Sequence, residues 1–575
     1  MQSHLETTSR LDAKKQACIN HLTLENDQIL RALVLMEQMI SSSRGPFGKI
    51  KMVQNSHGGH LTMTSTSSRL LSSMSFSNPI AKLVVSSAQG HLQTFSDGGH
   101  LLMSFSLNLI LGSLRLDISR RILTDLYEIF LTMCVEYLTN FSNIVSFSDL
   151  KQMSSMVMSI LTSKPLCRFT LKHVRLYSSL ILECFLSSLP DGNAMGGQVT
   201  DGVTIVTVEG ESMEKSTLLQ GLLLQCPEVA SHSKQNMITL RTKAPYILVA
   251  LVAMSMSGDT EETGSMQFES DISVDTENIF LQSLEEFCDK LVVANVRLLL
   301  CQKVVHPWLK QYLRERSVVV VERLGATMIP YIQDVSGAVP IRCIGAVDVD
   351  WLGKVAHVEH RIIQEKSYLL LTPLAEQHVM TLVLYSPDEE QLSELKSLCS
   401  TCLMSLRHLL RSPHVLFGGG CWQTRLSALL KNKVKADQGD IIEKTGCTRG
   451  CLMEACNIFT NTLEKIAIGT DDKYHHMSDF ESGHLWHLPK CSNPDTDVVL
   501  KCSCGAFKQN ISKLSYIGED TVKIDRDLAQ SPPSFPVVDS DVVLDLSATC
   551  VSALTSGVLT ANTVLSIGQS IQDIN

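Results

Sequence analysis

Three glycine turns, two of them beside charged side chains, are the segments whose residue types could do chemistry. Arg44-Gly45-Pro46-Phe47-Gly48, followed by Lys51 and Met52, has phosphate-loop composition. Glycine lets backbone N–H groups approach anionic oxygens closely, and proline stiffens the loop. Taken alone, Gly45, Pro46 and Gly48 read better as a surface turn than as a phosphate cradle. Ser96-Asp97-Gly98-Gly99-His100 offers a carboxylate, a hard-oxygen donor for a divalent cation, at a place where Asp97 would also suit a helix N-cap. Phe417-Gly418-Gly419-Gly420 is the third turn. Gly210-Glu211-Ser212-Met213-Glu214-Lys215-Ser216 imitates a Walker loop but fails it, because Glu214 stands where the second glycine is needed and would repel phosphate.

His475, His476, His484, His487, Cys491, Cys502 and Cys504 have the softness of zinc ligands, yet their spacing is irregular. Cys399 and Cys402 form a Cys-x2-Cys pair far off in a helical pattern. These residues are therefore expected to serve as loop, edge and core side chains, and Cys301 and Cys421 as buried, inert thiols.

The elements that must position the glycine turns are mostly helical. Ile29, Leu33, Met36 and Ile40 form a helical stripe that stops at Gly45-Pro46, and Pro79 opens a second through Ile80, Leu83, Val84, Ala88 and Leu92. Residues 101–143 and 150–188 continue the pattern, the latter interrupted at Pro165. At Asp191-Gly192-Asn193 the texture changes to β-branched strands such as residues 203–206 and 246–249. Strand, helix, strand, helix follow over residues 298–335, the order of a small sheet covered by helices. Residues 257–275, acidic and rich in Ser, Thr and Gly, read as an exposed excursion. After Leu382 the chain turns helical again and ends with Leu554, Val558, Ala561 and Leu565 on one face. Helical ends around an α/β middle predict one domain built from both ends with another inserted into it.

At 575 residues the chain should hold about three structural units, given roughly 100 to 200 residues per domain. With 44% hydrophobic and 19% charged residues it is a folding sequence. A net charge of −10 argues against broad attraction to nucleic acid or an anionic membrane. The 18 cysteines, scattered through apolar stretches, fit a reducing compartment. The polar opening carries no signal-peptide pattern. The apolar runs at residues 101–114 and 244–256 are too short to span a bilayer, so a soluble protein is expected.

Taken in order and at their separations, four pieces make the sequence resemble group II chaperonins, the family of the archaeal thermosome and the eukaryotic cytosolic ring chaperonin. They are the Gly45 loop with Lys51-Met52; Asn78-Pro79-Ile80-Ala81-Lys82 leading into Asp97-Gly98-Gly99; Val293-Ala294-Asn295-Val296 with Cys301-Gln302-Lys303; and Gly418-Gly419-Gly420. Residues 160–165, 300–304, 418–421 and 483–486 are similar to a chaperonin-like branch tied to the Bardet-Biedl protein complex.

The resemblance implies a multidomain, group II chaperonin-like fold: a mainly α equatorial domain (1–155 and 416–575), a small α+β intermediate domain (156–212 and 376–415) and an α/β apical, substrate-contacting domain (213–375). It implies that Gly45, Pro46, Gly48, Asp97, Gly98, Gly99, Gly418, Gly419 and Gly420 contact ATP or ADP, or are relics of that contact, and that Asp97 holds magnesium if nucleotide binds. The acids that the family uses to activate water are missing: their places fall on Ser65 or Thr66, on Thr401, and in Cys502-Ser503-Cys504-Gly505-Ala506-Phe507. Loss of a positioned base costs ~100 to 10,000-fold in rate, so hydrolysis should be negligible and no residue is expected to be catalytic. The implied role is a chaperone or assembly factor for the Bardet-Biedl complex (BBSome) in cilium biogenesis. Its partners would be other chaperonin-like Bardet-Biedl proteins, ring-chaperonin subunits and BBSome subunits as clients, at the cytoplasm, centrosome and basal body, with the nucleus a further location. An active ATP-driven chaperonin subunit and a nucleotide-free scaffold are the alternatives.

Overall fold

The computed structural model describes residues 18–21, 24, 26–54, 61–189, 202–226, 245–257, 276–344, 348–374, 379–469, 474–479, 483–489, 500–508 and 542–572. The Asp191-Gly192-Asn193 turn, residues 258–275 of the acidic excursion, the first 15 residues, Cys491 and the His475 side chain lie outside the described residues.

The chain divides into two compact units, Met1–Ser178 with Ser397–Asn575, and Ser179–Lys396. In the first, the expected stripe forms α1, Asp27–Ser41, capped by Asn26, whose side chain accepts from the Gln28 N–H at 2.9 Å. Helix α2, Pro79–Phe95, starts with proline at its first turn and an Asn78 cap. Then come α3 (Gly99–Ser113), α4 (Arg120–Phe141), α5 (Leu150–Thr162), α6 (Cys421–Ala436), α7 (Arg449–Ile468) and α8 (Ser547–Leu565).

Helices α3 and α8 are apolar nearly all round, which suits only central positions. They lie in one core with Phe105, Tyr127, Phe130, Phe459 and Leu554, where Phe459 meets Phe105 edge-on at 5.2 Å and Phe130 at 5.7 Å. Among the described residues α8 is the one helix long and apolar enough to cross a membrane, and most of it is buried inside this unit. The apolar runs named from sequence omit it, because its Ser and Thr residues dilute the pattern.

The last third is not wholly helical, contrary to expectation. Strand β1 (His414–Phe417) pairs antiparallel with β6 (Leu544–Leu546), Val415 opposite Leu546. Between them β2 (Tyr474–Asp479), β3 (His484–Pro489), β4 (Leu500–Cys502) and β5 (Phe507–Lys508) form a four-stranded antiparallel sheet in that order. Strands β4 and β5 are too short for alternation to stand out, and the histidines of β2 and β3 blur the pattern that six residues would otherwise show.

In the second unit a six-stranded mixed sheet runs in the order Val319–Val321, Leu298–Cys301, Ile247–Val252, Gly353–Ile363, Lys366–Pro373, Leu222–Gln225. Its parallel strands are buried on both faces. Leu298 and Leu300 join one core, Leu299 and Cys301 the other, so the strand reads as an unbroken apolar run. A separate three-stranded sheet pairs Val203–Glu209 parallel with Met380–Ser386, which pairs antiparallel with Thr217–Gln220. The rejected Walker imitation is a surface turn: Ser212 caps a single helical turn, Met213–Lys215, and Lys215 pairs with Glu211 at 2.8 Å.

Candidate functional site

After α1 the chain turns at Gly45, whose φ of +73° favours glycine. The Gly48 N–H donates to the Gly45 carbonyl at 3.0 Å, and a Cβ on Gly48 would lie 2.5 Å from the Ser43 carbonyl oxygen. Both glycines are thus required by the backbone, while Pro46 is exposed between them. Arg44 folds inward and donates from Nη2 to the Ile466 carbonyl at 2.9 Å, near the end of α7, where the helix dipole favours a cation. Burial lowers its pKa to about 10 against the pull of Asp545 and Glu37.

Helix α2 ends through Ser96 (φ +59°), whose N–H donates to the Leu92 carbonyl at 2.8 Å, and Gly98 (φ +82°) is the cap residue from which α3 starts. Asp97 is therefore not the helix cap. Its carboxylate lies 3.5 Å from Lys164 Nζ, just beyond α5. Burial works to raise the Asp97 pKa, but Lys164 and the Gly98 N–H outweigh it and hold the carboxylate below its usual range. Next to it His100 is buried with Nε2 unpartnered. Burial first, then Lys164 and Arg44, push its pKa down to about 3, so the ring is neutral. A Cβ on Gly98 would come 2.8 Å from His91 Nε2, and one on Gly99 2.8 Å from Ser67 Oγ.

At the third turn the Gly418 N–H donates to the Val543 carbonyl at 2.8 Å, and Gly419 and Gly420 take φ of +61° and +87°. A Cβ on Gly418 would lie 2.7 Å from Asp545 Oδ1. Asp545, on β6, accepts from Trp422 Nε1 at 3.0 Å. Burial raises its pKa to about 6; the Trp422 hydrogen bond opposes this, Asp97 adds to it, and Arg44 and Lys164 oppose it. All three turns therefore feed one electrostatic neighbourhood holding Arg44, Asp97, His100, Lys164 and Asp545.

The sequence matches the TCP-1/cpn60 chaperonin family over residues 36–467. The chain belongs to that family. This chaperonin is 32% identical to the Mus musculus protein named Molecular chaperone MKKS and 31% identical to the Homo sapiens protein of that name, in each case over 99% of this chain and 100% of the relative. It is 23% identical to Thermosome subunit alpha of Sulfolobus acidocaldarius, over 72% of this chain and 74% of the relative.

In this chaperonin the places matched to water-activating acids hold buried hydroxyls. Ser65 Oγ accepts from the Leu166 N–H at 3.4 Å, the Thr66 N–H donates to Thr64 Oγ1 at 3.0 Å, and Thr401 donates to the carbonyls of Ser397 and Ser96 at 3.0 and 3.3 Å. Asp545, however, is a half-buried carboxylate absent from the sequence-derived set. It was legible in principle as the one acid in the apolar run of residues 542–546, since an isolated acid amid core residues needs a partner or a task.

The histidine and cysteine set divides. His476 and His487 face each other, Nδ1 to Nδ1, at 2.9 Å, and His487 Nε2 meets Ser503 Oγ at 3.1 Å. His484, Cys502 and Cys504 instead converge on Cys421, with all four ligand atoms within 4.8 Å of one another. This convergence goes beyond the loop, edge and core roles expected of these residues, and the irregular sequence spacing gave no sign of it. Cys301 keeps its expected role as a buried, inert thiol, burial lifting its pKa to about 11. Cys421, Cys502 and Cys504 take part in no disulfide.

Proposed function

We propose that this chaperonin is a client-holding chaperone or assembly factor in which nucleotide, where it binds, is not turned over. Residues 1–155 and 416–575 would be its equatorial domain, 156–212 and 376–415 its intermediate domain, and 213–375 its apical domain. The observation that carries this is the composition of the three-turn site. The N-terminus of α3, Arg44, Lys164 and the unpartnered His100 suit an anion, whereas hydroxyls at Ser65, Thr66 and Thr401 cannot deprotonate water. Lys164 already sits on Asp97, so magnesium would have to compete with an ammonium for that carboxylate, which favours weak binding of ATP or ADP.

Client contact would fall to the apical segment, where Val293, Val349 and Ile362 are exposed large apolar side chains. The sequence resemblance supplies the rest: assembly of the BBSome in cilium biogenesis, with chaperonin-like Bardet-Biedl proteins and ring-chaperonin subunits, in the cytoplasm, at the centrosome and basal body, and in the nucleus.

Titration of purified protein with a fluorescent ATP analogue, with and without magnesium, tests the site. We expect weak, saturable binding that Asp97→Ala alters at least tenfold in its magnesium dependence, and phosphate release at the background rate. Turnover that Asp97→Ala abolishes would refute the non-hydrolysing reading, and no binding in any condition would leave a nucleotide-free scaffold. Affinity purification from ciliated cells should return BBSome and ring-chaperonin subunits; their absence would remove the assembly role.

A further inference from the structure

We propose that Cys421, His484, Cys502 and Cys504 form a Cys3His zinc site that fastens the β2–β5 sheet to the start of α6. Four soft donors from three separate pieces of chain meet there. Cys421 is the first residue of α6, His484 the first of β3, Cys502 the last of β4, and Cys504 lies in the turn after it. Cys504 Sγ is 3.3 Å from His484 Nδ1, and every pair of ligand atoms lies within 4.8 Å. A tetrahedral zinc ion with bonds of about 2.0 to 2.3 Å needs its ligand atoms about 3.5 to 3.8 Å apart, so small side-chain movements close the shell. Three of the four residues are buried and His484 is half-buried.

The surrounding backbone is built to hold this geometry. The Gly505 N–H donates to the Cys502 carbonyl at 2.9 Å and Gly505 has φ +89°, closing a tight Cys502-Ser503-Cys504-Gly505 turn. The Val543 N–H donates to the Ser503 carbonyl at 2.9 Å, tying that turn to the strand that anchors Gly418. Three thiolates around Zn2+ leave one negative charge, and Arg425, half-buried, lies close enough to feel the charges of Cys421 and Cys504. The site does not depend on nucleotide.

The test is metal analysis of untagged protein purified without chelator. About one zinc per chain is expected, falling below about a tenth in the Cys502→Ser/Cys504→Ser double variant and unchanged in Cys451→Ser, a cysteine outside the cluster. Should the double variant fail to fold, wild-type protein stripped of metal and reloaded with Co2+ decides. Thiolate-to-cobalt charge-transfer bands with tetrahedral d–d bands, and three sulfurs with one nitrogen in the metal X-ray absorption spectrum, support the site. Metal-free protein that yields no cobalt bands under reducing conditions overturns it, as does zinc retained by the folded double variant or a disulfide within the set in freshly lysed cells.

Discussion

Gly420→Ala is expected to lower the stability of the unit built from both chain ends by about 3 kcal/mol or more, seen as a drop of several degrees in its thermal transition. Two effects add. The φ of +87° is a conformation L-residues adopt at a cost of about 1 to 2 kcal/mol. The new methyl would also lie 2.5 Å from the Ala467 carbonyl oxygen and 2.5 Å from Leu485 Cδ2. Neither neighbour yields easily, because Ala467 lies in the last turn of α7 and Leu485 is fully buried on β3. Gly439→Ala is the matched control: nothing lies within 4 Å of its added Cβ, and it sits inside the helix Gln438–Thr445, where alanine gains about 0.5 to 1 kcal/mol. An unchanged melting temperature for Gly420→Ala would show that the turn is looser than its geometry says.

That turn also shows what the sequence carries and what it does not. Gly45, Gly48, Gly98 and Gly420 were legible because each has a backbone reason to be glycine, either a positive φ or a close carbonyl, and such reasons leave a mark on composition. Helices α1 and α2 were equally legible, since stripe, cap and stop signal agree at each. The convergence of side chains on those turns was not. Lys164 and Asp97 are 67 residues apart and Asp545 is 448 residues beyond Asp97. No periodicity links them, because their meeting is a property of how α2, α5 and β6 pack. The zinc-ligand set was hidden for the same reason. Spacing rules assume ligands on one or two short loops, whereas here Cys421 is separated by 63 positions from His484, and 18 more lead to Cys502. The central helix α8 was half legible: its apolar face was recognised, but not that Ser547, Thr549 and Thr560 are buried too.

The Asp545 carboxylate separates a relic of catalysis from a working base, and Asp545→Asn is the substitution that tests it. The folded-state pKa of about 6 lies above the ordinary aspartate value, so between roughly pH 4 and 6 the folded protein holds a proton that the unfolded chain releases. Stability from this group is therefore present below the unfolded pKa and lost as pH rises through about 6, by at most about 3 kcal/mol for a shift of some two units. Asparagine keeps an oxygen to accept from Trp422 Nε1 and has no charge to bury. The variant should therefore exceed wild type by about 1 to 3 kcal/mol at pH 7.5, and the two should converge only below about pH 4, as followed by denaturant unfolding across pH. The attraction of Arg44 and Lys164 for the carboxylate already counts against the upward shift, so their loss does not reverse the sign. A variant less stable than wild type at pH 7.5 would mean that the charge is held for the benefit of the fold. A wild type that hydrolyses ATP and an asparagine variant that does not would make Asp545 the base that the hydroxyls of Ser65, Thr66 and Thr401 cannot be. Stability that rises while turnover stays at background is the expected result, because a buried charge that costs stability and activates no water is what remains when a site keeps its electrostatics after losing its chemistry.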